Sequence, residues 1–349
     1  MKRNSPKPLS QQVQDKSKTP PARKKALEGN AETMISTGST LLDLAISGGR
    51  VRGGGIPGGI LVEVFGPSSA GKTVLLCEIA GAVQRRKGDI MFHDPEARMN
   101  KQFARMFDLN TDGMDYSTPD TIPELFGAVR SWNPKGKAPI HGIFADSLAA
   151  LSTDMEMEKD EGDKMGTRRA KEFSEELRRT CRVLAQENYL MVCSNQIRQN
   201  IDAGTWGQKY SSPGGTAIGF YSSLRLRFGN PVKIKSKEKI HGKEVTRVTG
   251  VQSTVEVFKS SIWKPYRTAP LTIIFDYGVD DIRENLQFIK DFTKNTRYAA
   301  GGTYLAQSME ESIALVEEGG LVKELREEVI DLWMEIEEKF EVERKPKQR

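Results

Sequence analysis

The chain has 349 residues, of which 37% are hydrophobic and 28% are charged, and this composition is ordinary for a soluble globular protein. Its formal net charge of +5 permits a polyanionic partner without requiring one. No apolar stretch approaches the length of a membrane span, so we expect no membrane contact. Cys77, Cys181 and Cys193 lack metal-type spacing, which indicates reduced thiols and a cytoplasmic location.

Residues 1–33 are predicted to form a basic, disordered arm. Prolines interrupt any helix in this region, and its apolar residues are too sparse to bury a core. The arm could be a solubilising tail or an electrostatic contact for nucleic acid. The folded part is predicted to begin at Met34, with a short helix over 40–46.

A phosphate-binding pattern follows the apolar run 61–65 and precedes a predicted helix that ends before Gly88. The residues GPSSAGKT at 66–73 fit G-x-x-x-x-G-K-[S/T], in which the glycines allow inward-pointing N–H groups to cradle phosphate oxygens. Lys72 would reach the outer phosphates, and the Thr73 hydroxyl would bind Mg²⁺. The predicted nucleotide site comprises Gly66, Pro67, Ser68, Ser69, Ala70, Gly71, Lys72 and Thr73.

The middle of the chain alternates predicted strands and helices. A strand over 90–94 is followed by Glu96 at its carboxyl end, where an open α/β sheet binds its ligands. A second strand, 140–147, ends at Asp146, which is the expected Mg²⁺ partner beside a phosphate loop. Helices are predicted over 101–108, 121–129 and 168–187, and a polar loop over 152–167.

A third buried strand, 189–194, ends in Asn195 and Gln196, two amides at which the nucleotide state could be read. The glycine-rich segment 198–216 is long for a loop inside a domain, and such loops are usually functional.

The last third of the chain is predicted to begin with strands and to end with helices. Strands are expected over 220–228, 255–259 and 271–275, with a basic hairpin over 233–249 that turns at His241–Gly242. Helices are expected from about 283, over 308–317 and 321–340. The crossover helices between strands predict an α/β fold with a largely parallel central sheet.

Several motifs resemble, in this order, those of the bacterial and phage RecA recombinases. They are residues 35–39, 66–73, 146–151, 195–198, 214–215 and 220–226, and the resemblance covers roughly residues 34–340. It implies a RecA-like P-loop NTPase core over 34–282, with two DNA-binding loops near 155–167 and 197–217. It also implies a small helical C-terminal domain over 283–349.

The resemblance implies a DNA-dependent ATPase that uses ATP and Mg²⁺. Such a protein forms filaments on single-stranded DNA and exchanges strands with a homologous duplex in recombination, repair and the SOS response. Glu96 would activate the attacking water, with Lys72 and Gln196 assisting. Phe103 would stack on adenine, and Lys259 would touch the ATP of a neighbouring subunit. The implied DNA contacts are Met165, Arg168, Arg169, Arg198 and Trp206.

Three features depart from the family pattern. The usual Lys-x-Lys pair is Lys259-Ser260-Ser261 here, with Lys264 nearby. The N-terminal region lacks the apolar helix and strand with which relatives dock on the next subunit, and basic residues replace the usual acidic C-terminal tail.

Two other functions remain open. The first is another RecA-fold motor, such as a hexameric helicase or a branch-migration protein, although three scattered cysteines do not match the four-cysteine zinc motif of the latter. The second is a DNA-coating protein that uses ATP mainly as a structural ligand.

Overall fold

The computed structural model describes residues 33–49, 51–99, 104, 107, 109–153, 165–196, 198–199, 210–211, 216–293 and 295–341, with only the backbone of 165–167, 198–199 and 210–211. All of them belong to one compact unit, Glu32–Arg349. The predicted basic arm, most of both predicted DNA-binding loops and the basic C-terminus lie outside the described residues, as does most of the predicted helix 101–108.

The elements alternate along the chain as the sequence predicts. The strands are β1 Met34–Ile35, β2 Ile56–Pro57, β3 Leu61–Gly66, β4 Ile90–His93, β5 Asp115–Ser117, β6 His141–Ala145, β7 Tyr189–Gln196, β8 Arg198–Gln199, β9 Tyr210–Ser211, β10 Leu224–Phe228, β11 Val232–Ile240, β12 Lys243–Ser260, β13 Thr268–Ile274, β14 Gly278–Val279, β15 Ala299–Ala300 and β16 Thr303–Tyr304. The helices are α1 Thr40–Ser47, α2 Lys72–Arg85, α3 Ile122–Ser131, α4 Met165–Glu187, α5 Thr216–Tyr221, α6 Asp281–Phe292, α7 Met309–Glu318 and α8 Val322–Glu338.

One large sheet organises the described part of the chain. Its parallel half has the strand order β10-β3-β7-β6-β4-β5. Beyond β10, the strands β12, β13 and β14 continue the sheet antiparallel, and β11 pairs with β12 alone. The predicted α/β fold with a largely parallel central sheet is therefore confirmed.

The strand β3 lies in the middle of the large sheet, between β10 and β7, and all six of its residues are buried. A strand that is covered on both faces is expected to be apolar throughout rather than alternating, as Leu61–Gly66 is apart from Glu63. The phosphate loop follows this strand directly and so starts from a fully buried strand of the sheet.

Two predicted boundaries are wrong. The predicted strand 220–228 is instead the short helix α5 followed by β10, because the Ser222 N–H and hydroxyl both donate to the carbonyl oxygen of Ile218, at 2.9 and 2.7 Å. The predicted loop 152–167 extends too far, since α4 already begins at Met165. The predicted hairpin turn at His241–Gly242 is confirmed, with φ of +49° and +78° as a tight two-residue turn requires.

The C-terminal helices pack into the same hydrophobic cluster as the sheet. Leu286 of α6, Val316 of α7, and Leu325 and Val329 of α8 are fully buried in it. The domain boundary at 282 stays a prediction, although apolar packing is continuous across it. Within the described part of the chain, no helix combines the length and apolar character needed to cross a bilayer.

Candidate nucleotide site

The phosphate loop, residues 66–73, leads from β3 into α2 in a conformation that depends on glycine. Gly71 has φ +100°, and a Cβ there would lie 2.2 Å from Cδ1 of Ile273 in β13. A Cβ on Gly66, at φ +155°, would lie 2.7 Å from Cβ of Phe228. Both positions therefore exclude a side chain, because the loop packs closely against β10 and β13.

The ammonium group of Lys72 lies against its own loop. Its Nζ donates to the carbonyl oxygens of Gly66 at 3.1 Å and Pro67 at 2.6 Å. Burial lowers the pKa of Lys72 below its ordinary value, while the carboxylates of Asp146 and Glu96 oppose that shift. Neutral carbonyl oxygens thus hold the Lys72 ammonium at the loop. Phosphate oxygens could replace them and would bind the ammonium more strongly, because they are negatively charged.

Thr73 and Asp146 meet although they come from different elements. The Thr73 hydroxyl at the start of α2 donates to Oδ2 of Asp146, which follows β6, at 2.6 Å. The hydroxyl of Ser194 in β7 donates to the other carboxylate oxygen, Oδ1. This hydroxyl–carboxylate set consists of hard oxygen donors and fits Mg²⁺.

No group of three or more His, Cys, Asp or Glu side chains suited to a metal occurs among the residues that the structure describes. A magnesium ion held by Thr73 and Asp146 would take its remaining ligands from phosphates and water, as Mg²⁺ usually does.

Glu96 stands at the same edge of the sheet, two residues beyond Asp94 at the end of β4. Its Oε2 accepts from the Arg98 guanidinium at 2.6 Å, and its Oε1 accepts from the Ser147 hydroxyl at 3.5 Å. Ser147 is the neighbour of Asp146, so Glu96 lies beside the proposed metal position. The carboxylate is mostly buried, whereas Arg98 is 78% exposed and can move away.

Gln196 lies directly beside the phosphate loop. It is the last residue of β7, and the parallel register places it opposite Gly66. The preceding Asn195 donates from Nδ2 to Oε1 of Glu63 at 3.0 Å, and Oε2 of Glu63 pairs with Nε of Arg225 at 2.6 Å. A buried polar chain therefore runs from Asn195 through β3 to β10.

Lys259 is far along β12 and holds the helix α5. Its Nζ donates to the carbonyl oxygens of Gly219 and Phe220, both at 2.9 Å. Burial lowers the pKa of Lys259, and the neighbouring Arg225 lowers it further. Lys264, the nearby lysine considered above, pairs with Glu337 of α8 at 3.6 Å.

The residues with implied DNA contacts fall into three groups. Arg168 is exposed on α4, as a DNA contact must be. Arg169 instead donates from Nη2 to the carbonyl oxygens of Leu148 at 3.2 Å and Ala149 at 2.7 Å, which favours a structural role. The side chains of Met165 and Arg198 are not described. Trp206 lies outside the described residues, as does Phe103, the candidate for the adenine contact.

Sequence reasoning missed Ser194, Arg98 and Glu63 as parts of this site. Ser194 and Glu63 are polar residues inside buried strands, a signal that marks a hydrogen-bonded or functional position. Arg98 carried no signal beyond being two residues from Glu96.

The sequence model described as the RecA N-terminal domain matches residues 23–280 of the chain. The chain belongs to the RecA family. Its function is accordingly that of an ATP-dependent DNA recombinase.

Curated members of the family extend the match beyond that domain. Protein RecA of Thermus thermophilus is 32% identical over 306 residues, which cover 85% of this chain and 85% of that protein. Protein RecA of the Wolbachia of Brugia malayi is 34% identical over 250 residues, covering 72% and 66% of the two chains. Protein RecA of Anaplasma marginale strain Florida is 31% identical over 280 residues, covering 79% and 74%.

Proposed function

We propose that this RecA-family chain binds ATP and Mg²⁺ at the phosphate loop and hydrolyses the nucleotide when it is assembled on single-stranded DNA. The observation that carries the proposal is the 2.6 Å hydrogen bond between Thr73 and Asp146. It joins the hydroxyl of the phosphate loop to the carboxylate that follows β6, a strand separated from β3 by β7 alone. P-loop NTPases hold Mg²⁺ with such a pair of a hydroxyl and a carboxylate.

The residues at this edge divide the work of phosphoryl transfer. Thr73 and Asp146 would hold Mg²⁺, which when bound neutralises charge between the outer phosphates. Lys72 would exchange its two carbonyl partners for phosphate oxygens. The Glu96 carboxylate would orient the attacking water and accept its proton, after parting from Arg98.

We assign the remaining residues to communication and DNA binding. Gln196, beside Gly66, would sense the nucleotide at the start of the second DNA-binding loop. Arg168 and Arg198 would meet phosphates, and Met165 and Trp206 would contact bases, with Phe103 stacking on adenine. Lys259 would act on the nucleotide of a neighbouring subunit in the filament. Strand exchange with a homologous duplex would then follow in the cytoplasm.

The test is Lys72→Ala, measured as ATP hydrolysis with and without single-stranded DNA. We expect turnover to fall at least about a hundredfold, as when a preorganised charge at the reacting group is removed. The matched control is Arg86→Ala, at the exposed position that follows α2, which removes one cation without touching the loop. A Lys72→Ala protein with normal turnover would refute the site assignment. An unsubstituted protein whose slow hydrolysis ignores single-stranded DNA would instead indicate a DNA-coating protein.

A further inference from the structure

A tight turn, residues 94–99, carries Glu96 beyond the end of β4, and we call it the glutamate turn. Asp94 closes this turn in two ways. Its carbonyl oxygen accepts from the N–H of Ala97 at 2.9 Å, and its carboxylate oxygen Oδ2 accepts from the N–H of Met99 at 2.6 Å. The backbone of Glu96 lies between these two bonds, so the Asp94 side chain helps to set where Glu96 stands.

The backbone of the glutamate turn is strained next to Glu96. Ala97 has φ +50°, in the left-handed region that residues with a side chain rarely adopt. Such a conformation persists only where the surrounding bonds over-determine the backbone, and it is typical of functional sites. The two bonds to Asp94 supply that constraint on either side of Ala97.

The hydroxyl of Tyr116 reaches the glutamate turn from outside. Tyr116 lies on β5, opposite Phe92 of β4, and its hydroxyl donates to Oδ2 of Asp94 at 2.9 Å. Asp94 is only 3% exposed, whereas Tyr116 is 45% exposed. Burial and the bond to Asp94 raise the pKa of Tyr116 to about 12, so the hydroxyl remains a donor at neutral pH. A ring that is half in solvent thus directs its polar end at a buried carboxylate.

Main-chain bonds join the same point to both neighbouring strands. The N–H of Asp94 donates to the carbonyl oxygen of Ser117 in β5 at 2.9 Å. The N–H of Asp146 donates to the carbonyl oxygen of His93, the residue before Asp94, at 3.0 Å. A shift of the Asp94 carboxylate would therefore move Glu96 relative to the candidate Mg²⁺ ligand Asp146.

We propose that Tyr116 and Asp94 act together as positioning residues that hold Glu96 where it can orient the attacking water. A base must stay within hydrogen-bond reach of the proton that it accepts, and a misplacement of about 1 Å can cost about a hundredfold in rate. The two residues act through the glutamate turn and not on the nucleotide. The inference rests on the proposed function, in which Glu96 activates the water.

The test is Tyr116→Phe in the full chain, which removes one hydroxyl and keeps the ring. Steady-state ATP hydrolysis on single-stranded DNA gives kcat and KM, and a fluorescent ATP analogue gives the binding affinity. Tyr304→Phe is the control of equal chemistry, since it removes a hydroxyl bonded to Asn295 in the C-terminal region. Asp115→Ala is the control on the same strand, because it removes the acceptor of the Trp132 indole N–H without touching the glutamate turn.

We expect Tyr116→Phe to lower kcat about fivefold and to leave KM and ATP affinity within about 1.5-fold. The loss should be smaller than that of Glu96→Gln, because the carboxylate is displaced and not removed. In the Glu96→Gln background, Tyr116→Phe should change kcat by less than about 1.5-fold, since no base remains to be positioned. Both controls should keep kcat within about 1.5-fold of the unsubstituted protein.

Several results would overturn the proposal. An unchanged kcat in the Tyr116→Phe protein would show that the hydroxyl serves the strand alone, and an equal loss in Asp115→Ala would indicate a general loosening of β5. A fivefold loss that persists in the Glu96→Gln background would show that the effect does not pass through Glu96. Failure of the proposed function is distinguishable, because Glu96→Gln alone would then hydrolyse ATP normally, whatever Tyr116→Phe does.

Discussion

The carboxylate of Glu96 is mostly buried beside Ser147 and is tied to an exposed arginine. This placement suits a group that must be free to orient water only when nucleotide is present. We expect Glu96→Gln to retain ATP and DNA binding and to slow hydrolysis at least about tenfold, because the amide cannot accept the proton. Binding of a fluorescent ATP analogue and steady-state hydrolysis would be measured on the same preparation.

Arg98→Ala is the control for this substitution, since it removes the ion pair and leaves the carboxylate in place. Loss of ATP binding in the Glu96→Gln protein would show that Glu96 supports the loop rather than the chemistry.

Glu63 is a buried charge that joins two strands to β3. It accepts from Asn195 and pairs with Arg225, whose guanidinium also lies 4.5 Å from the centre of the Phe65 ring. Removing one partner of a buried pair leaves the other unpaired, so Glu63→Ala should lower the free energy of unfolding by about 3–5 kcal/mol. Urea unfolding followed by circular dichroism measures the change.

Glu256→Ala is the matched control, because Glu256 pairs with the more exposed Arg227 on the neighbouring strands. We expect it to cost about 1 kcal/mol or less. Similar losses in both proteins would contradict the structural weight given to Glu63.

For single residues of the site, the sequence predicts those that belong to one local pattern and misses those that come into contact across strands. The loop 66–73 and Asp146 could be assigned because their spacing and their position after apolar runs have a chemical reason. Ser194, Glu63 and Arg225 could not, since their contacts depend on strand register. That register places Arg225 opposite Glu63, and it places Ala145 and Cys193, the residues before Asp146 and Ser194, opposite each other. The resemblance implies a DNA contact at Arg169. In the structure its guanidinium donates to the backbone carbonyl oxygens of Leu148 and Ala149, and no local sequence pattern predicts those hydrogen bonds.

Among the elements, β4 contains a histidine that makes stability depend on pH. His93 is buried, its Nδ1 lies 2.7 Å from the Ser117 hydroxyl in β5, and burial lowers its pKa to about 4 from an ordinary value of 6.5. The unfolded chain therefore binds a proton at a higher pH than the folded chain does. The stability that neutral His93 contributes is complete above pH 6.5 and is lost as pH falls towards 4.

Replacing His93 by Leu removes this titration. We expect the loss of unfolding free energy between pH 7 and pH 4.5 to be smaller in the His93→Leu protein than in the unsubstituted protein, by up to about 3 kcal/mol. Ser117 is exposed and can bond to water instead. Urea titrations at the two pH values measure the difference. His241→Asn in the exposed hairpin turn removes a histidine without that burial, and an equal effect there would rule out His93 as the cause.

The elements themselves were predictable where their periodicity is long or their turns are chemically marked. The turn at His241–Gly242 and the strand before the phosphate loop are examples. The error at 220–228 has a physical reason. Phe220 and Tyr221 favour a strand, but the hydrogen bond from the Ser222 N–H to the Ile218 carbonyl closes a helical turn over them, so the strand begins only at Leu224.

For the molecule as a whole, an ion pair connects the C-terminal helix to the segment that precedes β13. Glu337 near the end of α8 accepts from Arg267 through both carboxylate oxygens, at 2.9 and 2.6 Å, and also faces Lys264. Glu337→Gln should therefore increase cleavage of α8 in limited proteolysis and lower the free energy of unfolding by about 1–2 kcal/mol.

Glu338→Gln, one residue further on and exposed, makes the same chemical change without those partners. A Glu337→Gln protein as resistant as the Glu338→Gln protein would show that apolar packing alone holds the helix. That outcome would be informative, because Val316, Leu325 and Val329 already share a core with the sheet.

The strand β12 runs from the hairpin turn at His241–Gly242 to Lys259, which contacts the helix α5, and the phosphate loop touches the strand in between. Ser253 donates to the carbonyl oxygen of Ala70 at 3.1 Å, while Lys259 holds Gly219 and Phe220. Ser253 therefore divides β12 into one segment of about 33 Å towards Lys243 and another of about 20 Å towards Lys259. A displacement of Ala70 would therefore reach both ends of one strand, so the hairpin turn and the helix α5 share a single covalent support beside the phosphate loop.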